Sequence, residues 1–144
     1  MLKKMSRTLR KDDGQALVEL AFVLPILLLL VFGIIEFGNI YFAHLTLNNA
    51  SREGARAGAL RATQHGVDLE AEVNEVIQNR IPSLDSDNLS VFVWPNSEEE
   101  LIRGNDLKVE LEYNRRLLTP LFGMILDDGA GYYQLRTETT MRIE

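Results

Sequence analysis

Residues 16–35 form a run of 20 in which 17 are Ala, Val, Leu, Ile or Phe, broken only by Glu19, Pro25 and Gly33. A helix of that length covers about 30 Å, the thickness of a bilayer's hydrocarbon core. No face of the run is polar, and the rest of a 144-residue chain is too small to enclose it on all sides. Residues 15–36 therefore read as a transmembrane helix in contact with lipid. The flanks set its direction. Residues 1–14 carry Lys3, Lys4, Arg7, Arg10 and Lys11 against Asp12 and Asp13, whereas beyond the run, His44 aside, the next basic residue is Arg52. An excess of basic residues marks the cytoplasmic side, so residues 1–14 are a cytoplasmic leader and residues 37–144 an exported domain. Ala57-Gly58-Ala59 has the form of a signal-peptidase site, but it lies too far beyond the apolar run to serve as one.

Composition removes several classes of function. A net charge of −6 argues against a nucleic-acid partner held through phosphate contacts. With no cysteine, the chain has no disulfide, thiolate metal site or thiol nucleophile. No H-E-x-x-H, G-x-S-x-G, P-loop or dinucleotide fingerprint occurs, and the only histidines, His44 and His65, stand far apart. The sequence thus predicts no enzyme, with no catalytic residue, no cofactor and no metal ligand.

The chemistry-bearing string is Gly14-Gln15-Ala16-Leu17-Val18-Glu19. Gly14 sits where the basic leader meets the membrane segment, and Glu19 is the one ionisable group inside that segment. A charged carboxylate at mid-bilayer costs about 2.5–3.5 kcal/mol, so its presence needs a reason. In a helix beginning at Gln15, Glu19 lies only ~6 Å from the start, within reach of the interface. Cleavage after Gly14 would give Gln15 a free α-amine, largely protonated at neutral pH. That amine is a natural ionic partner for Glu19, within one helix or between neighbouring helices.

A short basic leader, Gly at its end and Glu five residues into an apolar helix resemble the processing site of type IV prepilins. Together with Pro25 and Asn49-Ala50-Ser51-Arg52-Glu53-Gly54-Ala55-Arg56, the string resembles the TadE-like minor pseudopilins of tight-adherence (Flp) pilus systems. The similarity covers residues 11–60, and the closing Met141-Arg142-Ile143-Glu144 also fits. The resemblance implies an inner-membrane aspartyl prepilin peptidase that cuts between Gly14 and Gln15. It further implies membrane lipid, other pilins or pseudopilins and pilus assembly proteins as partners, and a structural part in building an adhesive pilus. Two departures matter. Major Flp pilins are much shorter and carry Tyr where this chain has Leu20, and the commoner type IV pilins begin their mature chain with Phe where this one has Gln15.

Beyond the membrane no proline occurs until Pro82, so the helix is predicted to continue through about Leu60, a rod of about 70 Å, with Gly66 ending it. Glu36 and Phe37 mark its exit from the bilayer, and Tyr41 belongs near the interface. Ala50, Gly54 and Gly58 recur at spacing four and make a stripe of small residues where another backbone can approach. The partner is either the chain's own sheet or a neighbouring subunit, and spacing does not separate the two. Arg52, Arg56 and Glu53 read as a solvated surface with weak ion pairs.

Leu69, Val73, Val76 and Ile77 predict a second, amphipathic helix over residues 68–80, capped by Asp68. The period then changes to two. Leu89, Val91 and Val93, then Leu107, Val109, Leu111 and Tyr113, then the odd-numbered residues from Tyr133 to Ile143 each alternate with polar or outward-facing residues. Residues 96–105 read as a polar hairpin loop. The expected fold is α+β: a long transmembrane helix continuing outside the membrane, a second short helix, and an antiparallel sheet of about three strands whose apolar face a helix covers. Residues 117–126 are apolar but too short to cross a bilayer, and read as a cover for the core or as a docking patch. Two further readings of function stand beside the pilus component. One is a permanently anchored envelope module that recruits other pilus or cell-wall proteins; the other is a sensor domain, which would need a pocket in the exported part.

Overall fold

The computed structural model describes residues 2–64, 68–95, 97–119 and 131–144, with side chains described from Gly14 onward apart from Glu98. The first element, α1, is a single α-helix over Leu2–Arg61 that contains Pro25. Helix was expected from Gln15. It begins at Leu2 instead, because no proline interrupts the leader and its Leu, Lys, Met and Arg residues are good helix formers. The chain divides into two compact units, Met1–Phe37 and Gly38–Glu144.

In the first unit residues 14–35 are exposed all round the helix, apart from half-buried Gly33. Among the described residues one helical stretch, Gly14–Arg61, is long and apolar enough to cross a membrane, with a mean hydropathy of 2.8 over its most apolar 18 residues. Exposed apolar side chains on every face suit lipid and do not suit water. Glu36 is the exception: it is 1% exposed and engaged by a partner.

The second unit is built on the last turns of α1, a helix α2 over Leu69–Arg80 and three strands, β1 Leu89–Trp94, β2 Asp106–Arg116 and β3 Tyr132–Arg142. Asp68 caps α2, its carboxylate accepting from the Ala71 N–H at 3.1 Å. The sheet order is β1-β2-β3, antiparallel throughout, with Val93 opposite Val109 and Leu111 opposite Thr137. Between β1 and β2 lie a 3-10 turn at Glu98–Glu100 and Gly104, whose φ of +95° is a left-handed conformation that suits glycine. Period-two alternation puts Leu107, Val109, Leu111 and Tyr113 on one face of the central strand, all buried. Ala43, Leu47, Ala50, Ala55 and Ala59 of α1, Ala62 just beyond it, and Leu69, Val73 and Ile77 of α2 complete the same core.

Hydroxyl hydrogen bonds help to seat α1 on the sheet. The buried Ser51 hydroxyl donates to Thr139 Oγ1 at 2.8 Å, and the Thr137 hydroxyl donates to the Asn48 side-chain oxygen. Their hydrogen bonds offset the desolvation of hydroxyls placed among apolar neighbours. Gly66 lies outside the described residues, as does most of the 117–126 segment; of the latter, Leu117 donates its N–H to the Gly131 carbonyl at 3.2 Å.

Candidate functional site

Gly14 and Gln15 lie in one turn of α1 and Glu19 in the next, all exposed. Four residues separate Gln15 from Glu19, which sets them about one turn apart on the same helix face. A Cβ added at Gly14 would meet nothing within 4 Å, and its backbone is helical. Packing therefore does not require glycine there, although glycine in a helix interior costs about 0.5–1 kcal/mol relative to alanine.

The small-residue stripe is a different case. Ala50, Gly54 and Gly58 are all buried. A Cβ at Gly54 would lie 2.8 Å from Ile77 Cγ1, and one at Gly58 would lie 2.6 Å from Leu107 Cδ2 and 2.9 Å from Val73 Cγ2. The stripe thus receives the chain's own α2 and β2, which resolves between the two partners that its spacing left open. Glu53 is likewise engaged across the fold: it pairs with Arg80 of α2 at 3.1 Å.

The outer face of the sheet carries a feature that sequence reading missed. Phe92 and Trp94 of β1 stack with ring centroids 5.7 Å apart and planes 20° apart, and Lys108 Nζ lies 5.5 Å from the centre of the Trp94 ring. Beside them runs a ladder of ion pairs across β2 and β3. Lys108 bridges Glu110 at 3.3 Å and Glu138 at 2.8 Å, and Arg136 pairs with the other Glu110 oxygen while its Nε lies 3.9 Å from Glu112. Glu110 is only 3% exposed despite its polar phase in the strand, because it stands in the central strand between two long cationic side chains. Glu110 and Glu138 face each other across the strands, a repulsive placement that Lys108 neutralises.

Hydrogen bonds that Lys108 donates to Glu138 and then to Glu110 raise its pKa above 10.5, and the one to Glu138 holds that carboxyl below 4.5. A lowered carboxylate pKa stabilises the fold above the unfolded value, and that stabilisation is lost as pH falls through the folded one. A raised lysine pKa stabilises below the unfolded value and is lost as pH rises through the folded one. The bridge thus works fully between about pH 4.5 and 10.5 and fails beyond either end. Glu138→Gln is expected to return the Lys108 pKa toward 10.5 in an NMR titration, and high salt is expected to shrink the difference from the parent chain.

No group of three or more His, Cys, Asp and Glu residues among the described residues is arranged to hold a metal ion. No curated protein and no solved structure matches the chain. Residues 14–56, the segment holding Gly14, Gln15, Glu19, Ala50 and Gly54, match the family model described as TadE-like protein, and this match supports involvement in a tight-adherence pilus system.

Proposed function

We propose that this chain is a minor pseudopilin of a tight-adherence pilus, made as a precursor and cut after Gly14 by a prepilin peptidase. The observation that carries the reading is the placement of Gly14-Gln15 and Glu19 where the exposed apolar stretch of α1 begins, inside the segment that matches the TadE-like model. Because packing does not call for Gly14, its residue type is free to serve recognition by a peptidase. The basic leader holds the precursor with its amino terminus in the cytoplasm, and the α+β domain lies on the other side of the inner membrane. After cleavage the helix leaves the bilayer laterally for a helical bundle. Glu19 then sets axial register by pairing with the Gln15 α-amine of a neighbouring subunit, a pair that gains strength as lipid and protein exclude water. The domain, larger than a bulk filament subunit needs, suits a tip or priming position. A structural role of this kind calls for no catalysis.

Fractionation of the native cell tests the assignment. A pseudopilin that joins the filament is expected in material sheared from the cell surface, together with other pilus subunits. Recovery in the membrane fraction alone would instead support a permanently anchored envelope module.

A further inference from the structure

We propose that the outer face of the sheet binds a neutral saccharide laid across Trp94. The proposal rests on the geometry of the 38–144 unit and is independent of processing at Gly14. Two hollows of about 520 and 400 Å³ flank Trp94 and Lys108, which line both. Pro95, Asn105 and Asp106 border one; Phe92, Glu112 and Arg136 border the other. Phe92 and Trp94 are each 39% exposed, so aromatic carbon is open to solvent in a face that is otherwise charged.

The ligand class follows from charge and from the shape of its chemistry. Across the two hollows Glu100, Asp106, Glu110 and Glu112 stand against Lys108 and Arg136, so the face repels an anion, while Glu110 is already taken up by Lys108 and Arg136. Nucleic acid and anionic headgroups are thereby disfavoured. The charged groups hold one another in place, yet Glu112, 3.9 Å from Arg136 Nε, has acceptor capacity left over, and the Arg136 side chain is 60% exposed. A sugar ring presents an apolar C–H face to an aromatic ring and a rim of hydroxyls to carboxylate and guanidinium groups. A dry protein interface fits less well, because covering this ladder would strip water from several ion pairs at once. A hydroxylated ligand replaces that water and keeps the pairs hydrogen-bonded.

Trp94 is the only tryptophan, so its emission reports on this face directly. The full chain in phospholipid nanodiscs, free of sugar-based detergent, is titrated with neutral trisaccharides of α-1,4-glucose, β-1,4-glucose and β-1,4-N-acetylglucosamine. At least one is expected to give a saturable change in Trp94 emission with a Kd of about 1 mM or tighter, weakened about tenfold or more by Phe92→Ala and by Glu112→Gln. Circular dichroism checks that both variants fold, and Phe92→Leu replaces the alanine variant if it does not. A flat titration with all three sugars overturns the proposal. So does a saturable response that folded Phe92 and Glu112 variants leave unchanged.

Discussion

Gly58→Leu is expected to prevent the 38–144 unit from folding, and Gly58→Ala to destabilise it. A Cβ at this position would stand 2.6 Å from Leu107 Cδ2 and 2.9 Å from Val73 Cγ2. Leu107 is fully buried in the central strand, and Val73 is β-branched and fully buried in α2, so neither can turn aside into free space. Overpacking of this kind typically costs about 1–3 kcal/mol, and alanine recovers about 1 kcal/mol of helical propensity. The net loss for alanine is therefore up to about 2 kcal/mol. Leucine pushes three further carbons into the same contact and exceeds what rotamer changes absorb. Gly38 supplies the control, because a Cβ there would meet nothing within 4 Å. Gly38→Ala should leave the unfolding midpoint unchanged or raise it. Denaturant unfolding followed by Trp94 emission measures all three variants, and an unchanged midpoint in Gly58→Leu would contradict the packing described for the small-residue stripe.

The second large effect concerns assembly. Glu19→Ala is expected to insert and to be cut normally, since Gly14 and the basic leader are intact, yet to be absent from sheared surface material. In a bundle the neighbour's Gln15 amine would be left charged and unpaired among apolar helices. Breaking one half of a buried ion pair costs about 3–5 kcal/mol, roughly a hundredfold or more in an equilibrium. In the isolated chain Glu19 is exposed, so the same substitution should leave the stability of the 38–144 unit unaltered. Normal recovery of the alanine variant in sheared material would remove the charge pair from the mechanism.

Much of the fold was legible because burial imposes periods that sequence records directly. Leu107, Val109, Leu111 and Tyr113 announce β2 through alternation, and Leu69, Val73 and Ile77 announce α2 through helical spacing. What sequence could not supply was partnership between distant positions. Spacing four at Ala50, Gly54 and Gly58 called for a close neighbour, but nothing local says that Leu107, Val73 and Ile77 provide it. Glu53 stands beside Arg52 and Arg56 in the chain and pairs with Arg80 instead. Glu110 has the phase of an exposed strand residue, and it is buried because Lys108 and Arg136 fold over it from its own and the adjacent strand. The candidate site divides along the same line. Gly14, Gln15 and Glu19 were readable as a local string at a hydropathy boundary, whereas the aromatic and ionic face of the sheet needed three strands in register before Phe92, Trp94, Lys108 and Arg136 became neighbours.

Intact mass of the protein recovered from its native cell, with sequencing of its amino terminus, probes the pilus assignment most directly. A mature chain that begins at Gln15 with a free amine is the predicted result. A chain that still begins at Met1, or one that begins beyond Ala59, would contradict cleavage after Gly14 and with it the ionic pairing proposed for Glu19.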